Sequence, residues 1–264
     1  MLRPVRLSVV LITQNEEANI GCTLASVQPL VADGTAEIIV LDSGSTDRTV
    51  EIARSLGAKV FVEDWKGYAA QKNSAIQKAQ GDWILSLDAD EEVERELIPF
   101  IQQAIQTGSA EGYWIQRKNM FLRRWMKHGG FWPDRKLRLF RKGSGKFEDR
   151  AVHEDVKLNG VSGRIDGALV HHSYPTLSDY IEHMNLYSSL GAEMAVAEGK
   201  RGFSFLDIAV RPWLTFVYNY VFRLGFLDGR EGLLLHLYHA VYVSWKYAKV
   251  WELDRSASHQ RAVK

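Results

Sequence analysis

Apolar positions along the first hundred residues come in short unbroken runs, and each run stops at a polar cluster before a helical period begins. Leu7 to Ile12 is continuous and rich in β-branched residues, as a strand buried on both faces should be. It stops at Thr13-Gln14-Asn15-Glu16-Glu17. Thr13 or Asn15 can cap a helix expected from Glu17 to about Val27. Glu37 to Leu41 is a second strand, ending at Asp42-Ser43-Gly44-Ser45-Thr46-Asp47, with a helix behind it through Ser55 and Gly57 as its stop. Lys59 to Val62 is a third strand, and Tyr68 to Ala79 is helical. Trp83 to Leu87 is a fourth strand that breaks off at Asp88-Ala89-Asp90. Arg95 to about Thr107, with Pro99 and Gly108, predicts another helix.

Strand alternating with helix over residues 1–108 predicts an α/β fold with a doubly wound, mostly parallel sheet flanked by helices. Three of its strands end in polar clusters, and all three should share the edge where open α/β sheets hold ligands. Two carboxylates one residue apart on that edge can share a divalent cation, which in turn attracts a diphosphate. The competing reading of Asp88-Ala89-Asp90 is an acidic first turn of a helix. Asp42 has a similar rival role as part of a helix start, with Ser45 or Thr46 as cap and Glu51 behind.

The second half is less regular. Gly112 to Ile115 resumes an apolar strand, and Leu137 to Arg141 alternates like one. Between them lies a basic, aromatic stretch, read as an irregular loop, with Trp125, Lys127, His128, Phe131, Trp132, Arg135 and Lys136. Aromatic faces beside cations suit a sugar ring carrying anionic groups. Leu169 to Tyr174 ends another apolar strand at His171-His172. Leu177 to Glu198 is amphipathic and helical. Phe203 to Trp251 interleaves aromatics with Arg211, Arg223 and Arg230, but Asp207, Arg211-Pro212 and Arg223 interrupt every window long enough to cross a bilayer. A pair of in-plane amphipathic helices is expected there, touching a membrane surface or packing on protein. The expected division is a catalytic domain over 1–175, with halves 1–108 and 109–175, and a helical extension over 176–264.

Composition narrows the function classes. At 264 residues, with 46% hydrophobic and 25% charged residues, the chain is of globular type. Lys plus Arg at 33 against Asp plus Glu at 32 gives no global attraction to nucleic acid. One cysteine, Cys22, excludes an internal disulfide framework and is expected to pack rather than react. The N-terminal residues carry no secretory pattern, so a cytoplasmic protein is expected. Neither GxGxxG nor GxxxxGK[ST] occurs.

Leu7 to Glu16, Leu41-Asp42-Ser43-Gly44-Ser45-Thr46-Asp47, Gln71-Lys72-Asn73 and Leu87-Asp88-Ala89-Asp90 together resemble the successive motifs of the family 2 inverting glycosyltransferases, which have the GT-A fold. The resemblance implies a nucleotide-sugar donor. It matches Thr13, Asn15 and Glu16 to the segment lining the nucleoside and Asp42 to the aspartate on the base. It matches Lys72 to a basic residue near uracil or phosphates, and Asp88 to a residue near the ribose. Asp90 matches the metal-binding carboxylate, the cation being Mn²⁺ or Mg²⁺. Val152-His153-Glu154 is similar to the acceptor-side motif and implies Glu154 as general base; Glu148, Asp149, His153 and Asp155 are nearby carboxylates or imidazoles able to take a proton, Asp149 being the runner-up. His171 fits a metal ligand that many such enzymes place after the base. Trp132, Arg138 and His153 are acceptor-side candidates.

With Gly225-Phe226-Leu227-Asp228-Gly229 and Lys246 to Glu252, the chain is most similar to bacterial lipopolysaccharide core β-1,4-glucosyltransferases. That similarity implies UDP-glucose and a glycolipid or oligosaccharide acceptor at the inner face of the cytoplasmic membrane, and leaves self-association open. Two rival functions use the same fold: a non-catalytic nucleotide-sugar or lipid-binding protein, and a nucleotidyltransferase. The second needs a Gly-rich basic loop after the first strand, where Glu16-Glu17 is acidic.

Overall fold

The computed structural model describes residues 5–148 and 155–262, with 258–262 as backbone only. The strands are β1 Leu7–Thr13, β2 Ala36–Asp42, β3 Lys59–Val62, β4 Trp83–Ser86, β5 Glu91–Val93, β6 Gly112–Phe121, β7 Arg124–Trp125, β8 Asp134–Arg141, β9 Gly145–Glu148, β10 Asp155–Leu158 and β11 Ser162–Tyr174. The α-helices are α1 Ile20–Val31, α2 Thr49–Ser55, α3 Tyr68–Lys78, α4 Ile98–Thr107, α5 Leu177–Ala197, α6 Arg211–Val217 and α7 Gly229–Ala262. They form two compact units, Met1–Lys118 with Asp134–His171, and Asn119–Pro133 with His172–Lys264.

The first unit is built on a sheet of order β3-β2-β1-β4-β8-β6-β11-β5. β3, β2, β1 and β4 pair in parallel, which places Thr13 directly opposite Asp42. The later strands pair antiparallel, β4 with β8, β8 with β6, and β11 with β5. The unbroken apolar runs follow from helices on both faces. Leu7, Val9 and Leu11 pack with Ile20, Leu24 and Val27 of α1, while Val10, Ile39, Leu41 and Ile84 pack with Ala75 and Ile76 of α3. A strand covered on both sides has no solvent face to mark with polar residues. Gly81 enters β4 against β1 so closely that a Cβ there would lie 2.7 Å from the Leu7 carbonyl carbon.

Several expectations change in the structure. The first helix begins at Ile20, because Glu17 is engaged with the next loop instead: its N–H donates to Asp47 and its carboxylate accepts from the Arg48 N–H. Cys22 is exposed, on the outer side of α1, since Ile20, Thr23, Leu24, Val27 and Leu30 form the inward face. The residues after Asp90 form β5 rather than a helix start, and α4 begins at Ile98 after a 3-10 turn at Arg95–Leu97. The basic aromatic stretch is not an irregular loop at its ends, because β6 and β8 pair out to Arg117 opposite Asp134.

In the second unit β7 pairs with Met120–Phe121. Thr176 and Asp179 form a reciprocal capping box at the start of α5. The run before α7 is one helical stretch in which α6 is flanked by π turns, Leu206–Val210 and Tyr218–Phe222. No helix among the described residues is long and apolar enough to cross a membrane.

Candidate active site

The site is assembled first by the loops that leave β1 and β2. Since Thr13 and Asp42 are register partners, the two loops start side by side and interlock. The Asn15 N–H donates to Ser45 Oγ at 2.8 Å, and the Thr46 N–H donates back to Asn15 Oδ1 at 2.8 Å. The Glu16 N–H donates to Thr49 Oγ1 at 2.7 Å. Asn15 sits at φ 55°, a left-handed conformation that asparagine tolerates better than most residues. Asp42 is buried, and its carboxylate accepts from Thr13 Oγ1, the Gly44 and Ser45 N–H groups and Ser45 Oγ. A carboxylate has about four acceptor positions, so this one is already committed to shaping the 43–47 turn.

The loop after β4 supplies the other half. Asp88 is held from behind by Lys72, whose Nζ donates to Oδ1 at 2.7 Å, and by the Arg138 guanidinium on Oδ2. Arg138 is only 5% exposed and also donates to Glu91, which is 0% exposed. Arg117 continues the chain of charges, donating to Glu91 at 3.2 Å and to Asp134 at 2.9 Å. Three cations thus face three carboxylates in a neutral lattice. Burial alone would raise the Asp88 carboxyl, but the Arg138 and Lys72 charges outweigh it and hold it well below the usual carboxylate range.

Asp90 is oriented differently. His171 Nε2 lies 3.2 Å from Asp90 Oδ2. The contact follows from sheet register, because β11 pairs with β5 so that His171 stands opposite Glu91, the neighbour of Asp90. Burial would raise the Asp90 carboxyl, and the His171 charge and hydrogen bond lower it on balance. Glu16 moves the other way: burial, with the charges of Asp90, Asp47 and Asp88, raises its carboxyl despite the Asn19 hydrogen bond. Side chains following three different strands therefore share one electrostatic field.

Among the described residues no set of three His, Cys, Asp or Glu side chains converges as a metal cage. Asp90 with His171 is instead a two-donor arrangement. A carboxylate beside an imidazole fits a first-row transition cation such as Mn²⁺ better than the all-oxygen preference of Mg²⁺, with phosphates and water completing the shell. Glu16 beside it adds negative charge that a cation would relieve.

The remaining expected residues fall as follows. Lys72 is buried, bonded to Asp88, with the Phe147 ring 5.1 Å from its Nζ. Arg138, expected on the acceptor side, is turned into the lattice through its Nη2, and its buried Nε–H has no partner among the described residues. Trp132 lies in the second unit, edge-to-face with Trp125. Glu148 and Asp155 stand opposite each other on β9 and β10, and Glu148 pairs with Lys157 at 3.1 Å. Asp149, His153 and Glu154 lie outside the described residues. Asn73 pins the approach to that segment, its side chain bonding both the N–H and the carbonyl of Phe147.

Gln71, Glu91 and Arg117 were not singled out from sequence. Gln71 is fully buried, donates to Ser43 Oγ at 3.1 Å, and its carbonyl oxygen has no partner among the described residues. Its place in Gln71-Lys72-Asn73 was the available signal.

Residues 8–158 match the model of glycosyl transferase family 2. The chain is 32% identical over 261 residues to an uncharacterised glycosyltransferase of Rickettsia typhi, covering 94% of this chain and 88% of that one. It is 29% identical over 265 residues to the lipopolysaccharide core biosynthesis glycosyltransferase LpsC of Rhizobium meliloti, covering 96% and 94%. Residues 1–349 of S. aureus TarS, solved in complex with UDP, share the fold with a TM-score of 0.50 at 17% identity, over 96% of this chain and 92% of that one. With the family model spanning more than half of the sequence and the GT-A architecture present, the chain belongs to glycosyl transferase family 2.

Proposed function

We propose that the chain is an inverting hexosyltransferase that moves glucose from UDP-glucose to a lipopolysaccharide-core or related glycolipid acceptor. The observation that carries this is the meeting of three strand ends, where the charges of Asp47, Asp88 and Asp90 all act on Glu16. Family membership supports the transfer reaction, and the likeness to LpsC over nearly the whole chain supports the acceptor class. A divalent cation, Mn²⁺ or Mg²⁺, held by Asp90 and His171 would supply positive charge to the departing diphosphate.

The chain's own residues divide the remaining work. Thr13, Asn15 and Glu16 line the nucleoside side. Asp42 acts through the turn it ties, and the Gln71 carbonyl offers an acceptor beside that turn. Lys72 and Arg138 keep Asp88 ionised and in place near the ribose. Glu154, with Asp149 as the alternative, takes the proton of the acceptor hydroxyl. The oxygen then bonds to the anomeric carbon as the bond to the diphosphate breaks on the opposite face, which inverts the centre. Trp132 and His153 are the acceptor-side contacts. A glycolipid acceptor places the enzyme at the inner face of the cytoplasmic membrane.

Transfer from UDP-glucose to extracted core glycolipid, followed by mass spectrometry and by NMR of the new anomeric centre, tests the proposal. A β-linked product is expected, lost in Glu154→Gln while cooperative melting is retained. Near-normal transfer by that variant would remove Glu154 from the role, and an α-linked product would end the inverting assignment.

A further inference from the structure

The helical run from Leu206 to Phe222 has two apolar faces, only one of which is used inside its unit. On the used side Phe216 stacks on Tyr220, Tyr220 meets Phe226 and His236, and the Ile208 carbonyl accepts from Ser244 of α7. On the other side Leu206, Trp213, Leu214, Tyr218, Val221 and Phe222 recur at helical spacing and face solvent, Leu206 at 68%, Trp213 at 63% and Phe222 at 74% exposure. A water-facing helix side should be polar, and a continuous apolar stripe of this size marks a contact surface.

The surrounding charge indicates what covers it. Residues 199–227 contain Lys200, Arg201, Arg211 and Arg223 against the single acidic residue Asp207. Asp207 is already held by Lys200 at 3.2 Å and Arg211 at 2.7 Å, and Arg201 lies 3.6 Å from Asp254 of α7; four cations against these two carboxylates still leave the stripe rimmed by net positive charge. We propose that this stripe is the docking surface for an anionic lipid bilayer, with the run lying in the plane of the headgroups. Aromatic side chains favour that depth and arginines are drawn to anionic headgroups. No described helix can cross the membrane, so the contact stays on its surface. A second copy fits less well, because an isologous pairing would bring two copies of the same net-positive patch together. The proposal deepens the lipid-borne acceptor assignment, yet its test requires no transfer.

The full-length protein is floated with vesicles of phosphatidylcholine alone, or containing roughly a quarter phosphatidylglycerol. Binding is expected only to the second kind, and added salt should weaken it. The double variant Trp213→Ser, Phe222→Ser should bind at least about tenfold less. Arg211→Gln and Arg223→Gln should each cost about fivefold. All four positions are exposed, so melting temperatures should stay near wild type, and UDP-glucose hydrolysis without acceptor, run in parallel, reports the transfer site separately. Failure to float with phosphatidylglycerol vesicles, undiminished binding by the apolar double variant, or a wild-type dimer that this variant dissociates would each overturn the proposal.

Discussion

Asp90 looks toward His171 at 3.2 Å, while Asp88 is gripped by Lys72 and Arg138. The two carboxylates of one triplet should therefore fail differently when altered. Arg138→Leu leaves Glu91, fully buried, without its closest cation, and breaking a buried pair from one side costs about 3–5 kcal/mol. Urea denaturation should register a loss of that size, with Arg138→Lys recovering part of it. Asp90→Ala removes a side chain that lies outside that lattice, so its stability should change by less than about 1 kcal/mol. If Arg138→Leu denatures like wild type, the lattice is not structural. The Asp-x-Asp spacing and the basic character of Lys72 were legible in the sequence. The partners were not: Arg138 lies fifty residues from Asp88 on a strand whose alternation marks only which face it takes, and Gln71 carries no charge, its one signal being its place beside Lys72.

At the level of elements, β1 to β4 were legible because a strand covered on both faces leaves an unbroken apolar run. The run Glu91 to Val93 was not, since three residues with two glutamates carry no strand signal; only pairing with β11 makes β5, and that pairing brings His171 to Asp90. In α7, His236 is 1% exposed, and both ring nitrogens lack hydrogen-bond partners among the described residues. Burial, helped by the His239 charge, lowers its pKa from 6.5 to about 4. The unfolded chain then binds a proton that the folded chain does not, so stability is full above pH 6.5 and falls as the pH drops toward 4. Between pH 7 and pH 5 this one group should cost about 2 kcal/mol. Denaturation curves at the two pH values should show that slope in wild type and lose it in His236→Gln; an unchanged slope would mean that His236 is protonated or solvated in the fold.

For the whole molecule, the alternation of strand and helix foretold the α/β class, and four motifs in order foretold the family, three of them polar clusters that stand out against the apolar strand before each. The antiparallel half was harder to see, since glycines and charges interrupt its strands, although Tyr113, Ile115, Leu139, Ile165 and Leu169 still reach the main core. The central claim is that these strand ends form one metal-assisted nucleotide site. Calorimetric titration of UDP into wild type and Asp90→Ala, each with Mn²⁺ and with EDTA, tests it most directly. UDP should bind wild type more tightly with Mn²⁺ than with EDTA, and Asp90→Ala should lose that difference while melting normally. Absence of UDP binding in both conditions, or an Asp90→Ala titration indistinguishable from wild type, would contradict it.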